Sequence, residues 1–148
     1  MRRVFEFLDQ NKFNYFYTGI DVVEALIKYN AETFKAVNKR FICMNAADDE
    51  PLPDGELLII RQVLQHLSNA DIKKILDKAN KFKFMFITEH IYDGPDAVYN
   101  VDKQTDNTIR LRHKSGIYLE HAPFNCKNIV HLLKIPGNGV IRSSLIIN

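Results

Sequence analysis

Glycine is scarce in this chain of 148 residues: there are six, at positions 19, 55, 94, 116, 137 and 139. None belongs to a G-x-G between a strand and a helix near the N-terminus, and the phosphate-cradling G-x-x-x-x-G-K-[ST] loop is absent. Cysteine is scarcer still. Cys43 and Cys126 lie far apart and form no C-x-x-C pair, which points to two reduced thiols in a cytoplasmic protein. No apolar run approaches the roughly 18 residues a membrane span needs. The basic start Met-Arg-Arg is followed by Glu6, Asp9 and Gln10, which interrupt the apolar core a secretory leader requires. Charge of one sign is not in excess. Twenty Lys and Arg against 18 Asp and Glu leave a net +2, well short of a nucleic-acid footprint. His66, His90, His113, His121 and His131 show no metal-ligand spacing, so no metal is expected. There is no internal repeat.

What is present is an ordinary globular composition, 46% hydrophobic and 26% charged. A chain of this length buries roughly two-thirds of its unfolded surface and is one domain by the length prior. Residues 2–11 place Val4, Phe5 and Leu8 at helical spacing. A β-branched and aromatic strand signal from Tyr15 to Ile20 exits at Asp21. Val22 to Asn38 reads as a helix with Val23, Leu26, Ile27, Phe34 and Val37 as its apolar stripe. Phe41–Met44 and Glu56–Ile60 read as buried strands on either side of an acidic, proline-punctuated loop. Ser68, with Asp71 three residues on, is a capping-box start for a helix over Ala70–Asn80. The lysines of that stretch (73, 74, 78 and 81) belong to a solvated face. Phe82–Thr88 is a further buried strand with the polar exit Glu89-His90.

This order alternates strands with helices, as in a parallel sheet covered on both faces. From Ile91 to Ser115 the chain is polar and longer than a connection needs, which marks a lid or a disordered stretch. Ile129–Ile135 and Val140–Ile147 then flank Pro-Gly-Asn-Gly, a hairpin signal. An antiparallel hairpin on a parallel sheet gives a mixed sheet.

Several of these pieces together resemble the small class I S-adenosylmethionine-dependent methyltransferases. YTGIDVVEALI is similar to that family's second strand and helix, FICMNAADDEPLP to its third strand and loop, and LLIIRQVLQHLS to its fourth strand and crest. FKFMFITEHI resembles the fifth strand, and SGIYLEHAPFN with GVIRSSLII the late loop and last strand. The resemblance implies a Rossmann-like α/β fold with S-adenosylmethionine as cofactor. It also implies methyl transfer to an O or N nucleophile of a small-molecule or carbohydrate acceptor. The family's first strand and glycine-rich turn have no counterpart in the sequence. The expectation is therefore a domain incomplete at its N-terminus, with two unpaired sheet edges open to homo-oligomerisation. A non-catalytic binding or scaffold subunit, or a degenerate fragment, is the alternative.

Ligands bind outside the carboxyl ends of strands in open α/β sheets. That edge holds the expected site. Asp21, next to Ile20, can accept the ribose hydroxyls of an adenosine ligand, or simply cap the next helix. Asn45, next to Ala46, stands where the resemblance implies an aspartate facing adenine; the other reading is an Asx turn. Arg61 and Gln62 are implied where the methionyl end of the cofactor meets the substrate, with Arg61 also expected to be catalytic. His66 is either a general base or a hydrogen-bonded structural histidine. Glu89, His90 and Arg112 are the expected substrate contacts, with surface polarity as the alternative. Arg110, Arg112 and Lys114 read as solvated loop charge or as contacts to an anionic acceptor.

Overall fold

The computed structural model describes residues 2–148; Met1, the first residue of the basic start, lies outside them. The chain divides into two units, Met1–Asp48 and Asp49–Asn148, each taken by itself below.

The first unit runs α1 (Arg2–Gln10), β1 (Tyr17–Asp21), α2 (Glu24–Thr33) and β2 (Lys39–Cys43). An aromatic cluster holds it together. The buried Phe5 of α1 meets the Tyr17 ring edge-on at 4.8 Å and the Phe34 ring at 5.3 Å. The Lys39 ammonium lies 4.7 Å from the centre of the Phe5 ring and 3.6 Å from the Asp9 carboxylate, a cation–π contact with a counter-ion beside it. The strands β1 and β2 pair in parallel, Tyr17 opposite Lys39 through Asp21 opposite Cys43, so both carboxyl ends lie at one edge.

The helix expected over Val22–Asn38 is shorter, because the chain must turn back within five residues of Thr33 to lay Lys39 beside Tyr17. Of its expected stripe only Ile27 is buried. Val23 and Leu26 are exposed, and Val37 lies in the turn beyond the helix, fully exposed.

The second unit contains β3 (Leu57–Arg61), a 3-10 turn (Leu64–His66), α3 (Asn69–Ala79), β4 (Phe84–Ile91), a second 3-10 turn (Arg110–His113), β5 (Ile129–Gly137) and β6 (Gly139–Ile147). Its sheet is mixed, in the order β3-β4-β6-β5, with β3 parallel to β4 and the remaining pairs antiparallel. The N-cap is present, with Ser68 Oγ accepting the Asp71 N–H at 3.1 Å, but the reciprocal half of the capping box is not: the Ser68 N–H donates to Thr105 Oγ1 at 2.9 Å. Ile72, Ile75, Leu76 and Ala79 form the buried stripe of α3. They pack into a core with Leu64, Met85, Ile87, Ile91, Ile117 and Ile146. Each of these large side chains contributes about 1.5–3 kcal/mol of burial free energy. The hairpin forms as its sequence requires, with Asn138 alone between β5 and β6, Gly139 at φ +84°, and a bulge at His131–Leu133.

Three expectations are corrected. The strand β3 is not buried on both faces: Leu57 and Ile59 are half exposed and only Ile60 is covered. It has a strand partner on one side only among the described residues, as does β1. The strand β4 does not end at Thr88. It continues through Glu89, His90 and Ile91 because β6 is long enough to pair with them, opposite Arg142, Ile141 and Val140. The stretch after Ile91 is not disordered chain. Asn100, at φ +53°, donates from its side chain to the Tyr118 and Ala122 carbonyls at 2.9 and 2.8 Å. Its Oδ1 accepts the Tyr118 N–H at 2.8 Å, which ties the segment's middle to its end.

Candidate functional site

In the second unit the site is built where β4 overruns β3. The β3–β4 ladder stops at Arg61 opposite Thr88, and the chain then turns sharply at Gln62, whose φ is +54°. A left-handed conformation at a residue other than glycine persists only where its surroundings fix it. Here the fixing groups come from β4. The Gln62 N–H donates to the Thr88 carbonyl at 2.7 Å. The next three N–H groups, of Val63, Leu64 and Gln65, all donate to the Glu89 carboxylate at 3.2, 3.0 and 3.0 Å. The Gln65 side chain continues the pairing, its Oε1 accepting the His90 N–H at 3.1 Å.

Glu89 is 3% exposed. Burial pushes its carboxyl up to about 7, against the pull of the three amides and of the Arg110 charge. A carboxylate so placed is committed to backbone, which differs both from the substrate contact and from the surface polarity that the sequence suggested.

His66 follows in the 3-10 turn. Its Nδ1 lies 3.2 Å from the Thr108 carbonyl, which can only accept. Its Nε2 lies 3.1 Å from the Gln65 side-chain amide nitrogen, which can only donate. Both ring nitrogens are engaged, as in the structural reading of this histidine. His90 places Nε2 2.6 Å from the Asn138 carbonyl in the hairpin turn.

Arg110 carries the carbonyl end of the same turn. The side chain is 1% exposed and donates to the carbonyls of Val101 (2.8 Å), Gln65 (3.1 Å), Leu64 (3.4 Å) and Leu67 (2.6 Å), and to Asn69 Oδ1 (3.1 Å). Sequence reasoning placed it with solvated loop charge or an anionic acceptor; it is neither. The signal that could have found it is its setting between Ile109 and Leu111. Arg112 is exposed and reaches His113 Nε2 at 3.1 Å and Thr108 Oγ1 at 3.4 Å. Lys114 pairs with Asp96 on the surface.

A cavity of about 270 Å³ opens in this unit over Leu76, Met85 and Ile146, with Lys73 and Lys127 on its rim. It lies at the opposite ends of the strands from the Arg61–His66 crest.

In the first unit, the carboxyl edge of β1 and β2 presents Asp21 and Asn45. Asp21 Oδ1 accepts the Val23 N–H at 2.9 Å at the entry to α2, and Oδ2 makes no hydrogen bond among the described residues. Ile20, one residue earlier, pairs with Ile42. Asn45 Oδ1 accepts the Ala47 N–H at 3.0 Å, and Nδ2 donates to Asp48 at 2.8 Å across the half-buried Ala46. This is the Asx turn.

The α/β elements and the mixed sheet of the second unit are similar to the Rossmann-like fold of solved structures. The chain is similar to the N-methyltransferase NodS from Bradyrhizobium japonicum WM9, with 10% identity and a TM-score of 0.59 over 88% of this chain and 72% of that one. It is similar to the CMeT domain of the citrinin polyketide synthase at 13% identity and a TM-score of 0.67, covering 99% of this chain. A third likeness is to LepI, solved in complex with SAM, at 8% identity and a TM-score of 0.57 over 99% of this chain. The chain spans 42% of the CMeT structure and 40% of LepI. Identities this low establish the fold alone. No protein-family model matches the sequence, and no curated protein is similar to it.

Proposed function

We propose that this chain is a methyltransferase domain that binds S-adenosylmethionine and passes its methyl group to an O or N nucleophile of a small-molecule or carbohydrate acceptor. The observation that carries the reading is Asp21. It stands at the carboxyl end of β1, where α/β folds bind ligands, with one carboxylate oxygen held by backbone and the other without a hydrogen bond among the described residues. Such an oxygen fits a ribose hydroxyl donor, with Ile20 behind it.

The bound cofactor would supply a methyl group activated by a sulfonium. The chain's own residues bind and orient. Asp21 takes the ribose. Ala46 offers backbone beside adenine, where Asn45 can accept only with the oxygen that already holds the Ala47 N–H. Arg61 and Gln62, at the end of β3 in the second unit, are assigned to the methionyl end by the resemblance. His66, with both nitrogens engaged, shapes the crest. His90 and the exposed Arg112 are assigned to the acceptor, with Arg112 suited to an anionic group on it. Positioning of this kind is the main demand of methyl transfer to a competent nucleophile.

Calorimetric titration of S-adenosylhomocysteine into the 148-residue chain tests the reading. Micromolar binding, weakened at least about tenfold by Asp21→Ala, is the expected result. A folded sample that gives no heat overturns it.

The scaffold alternative draws on the Asx turn that occupies the Asn45 side chain. Under either reading the half-exposed Leu57 and Ile59, on a strand paired on one side, favour association between copies. Sedimentation equilibrium is expected to show a dimer that Ile59→Lys returns to monomer. A wild-type chain that stays monomeric at high concentration removes this part.

No helix among the described residues is long and apolar enough to cross a membrane.

A further inference from the structure

The crest depends on one side chain that the proposed chemistry does not touch. Four consecutive N–H groups, from Gln62 to Gln65, leave the β3 ladder and converge on the end of β4, three of them on the Glu89 carboxylate. Backbone amides donate and cannot accept, so they are satisfied by an ionised carboxylate with two accepting oxygens. A protonated acid brings its own O–H donor into the cluster, and one of the three contacts fails.

The charges facing Glu89 do not replace the missing acceptor. Arg110 lies beyond the turn and acts on Glu89 through space, while Asp102 acts in the same way on Arg110. Arg142 stands opposite Glu89 on β6 but gives its guanidinium to Glu120 at 2.7 Å. His90 points its ring to Asn138, and His66 is held by Gln65 and Thr108. Arg61 is exposed at the end of β3.

We infer that Glu89 is a positioning residue: its carboxylate sets the turn from Gln62 to Gln65, and through it the Arg61–Gln62 crest, in the conformation that receives an adenosyl ligand, and one added proton loosens that conformation. The inference rests on the adenosyl reading above and deepens it. Burial holds the Glu89 carboxyl near 7, so the switch falls in the neutral range.

The two consequences have opposite signs. The carboxyl is raised above its ordinary 4.5, so the folded state holds the proton more tightly than the unfolded chain does. Its contribution to stability is full below about 4.5 and is lost as pH rises through about 7. Ligand affinity does the reverse. It is constant above about 7 and falls by about tenfold per pH unit below it, because binding must first remove the proton.

The test is a pH series from 5.5 to 8.5 on the 148-residue chain and on Glu89→Gln, which keeps one accepting oxygen and cannot ionise. S-adenosylhomocysteine affinity, protection of the amides of residues 63–65 against hydrogen exchange, and the carbon-13 shift of the Glu89 carboxyl are read together. In the wild type all three are expected to break near pH 7. In Glu89→Gln affinity is expected to be about tenfold weaker at pH 8 and flat with pH. The wild-type series stands alone if the variant does not fold.

A Glu89 carboxyl that titrates near its ordinary value overturns the inference. So does amide protection without a break, or a wild-type affinity slope that Glu89→Gln shares. If the amides and the carboxyl break together while neither chain binds at any pH, the adenosyl reading falls and the ligand half of this inference falls with it.

Discussion

Arg110→Met is expected to destabilise the second unit by about 4 kcal/mol, read as a lower urea midpoint at unchanged slope. The size follows from the partners. Five acceptors converge on one guanidinium that is 1% exposed, and three of them are the carbonyls of Leu64, Gln65 and Leu67 at the end of the turn after β3. Methionine fills much of the volume and satisfies none of them, and each buried carbonyl left without a donor costs about 1–3 kcal/mol. Arg110→Lys is expected to recover only part of the loss, because an ammonium cannot span acceptors that a planar fork reaches together. A variant within about 0.5 kcal/mol of the parent would show that water replaces the guanidinium at the turn.

Gly116→Ala carries the second large effect, about 3 kcal/mol, in the upper range for overpacking. A Cβ at this buried position would lie 2.6 Å from Ile91 Cα and 2.7 Å from Ile91 Cβ. Ile91 is itself fully buried and paired with Val140 on β6, so neither chain can move aside cheaply. The glycine lets the end of the long segment pass over β4. The control is Gly137→Ala in the hairpin, where the nearest atom to a new Cβ is 4.0 Å away. That change is expected to fall within about 0.5 kcal/mol. Equal effects at the two positions would break the argument from close approach.

These two positions also show where the sequence stops being legible. Local signals read well. Ser68 and Asp71 announced the start of α3 from their spacing, and Pro-Gly-Asn-Gly announced the hairpin, because both depend on neighbours within a few residues. The mixed sheet followed from the hairpin, and the family resemblance followed from the ordered run of strand motifs.

What escaped was set by partners far along the chain. Arg110 looked like loop charge because four of its five acceptors lie more than forty residues earlier. Glu89 and His90 looked like a strand exit because the length of β6 decides where β4 ends. The apolar runs of β3 and β2 promised burial, yet Leu57 and Ile59 are half exposed and Cys43 is exposed. Apolar character records what a residue can bury and not what arrives to cover it. For the site, Asp21 was legible as a strand-end carboxylate. The hold of Glu89 on three amides was not, since backbone donors leave no mark on the side-chain pattern.

The hairpin bulge has a consequence for stoichiometry. In the four-stranded sheet one outer strand, β5, carries the irregularity at His131–Leu133 and, at Pro136, a residue without an N–H. Such features spoil a strand as a template for another chain. The other outer strand, β3, is regular from Leu57 to Arg61. A sheet with one competent rim and one blunted rim can meet its copy through like surfaces, and the contact then closes on itself. If copies associate through β3 as proposed, growth of this sheet would stop at two chains, where a pair of competent rims would let it run on into a fibre.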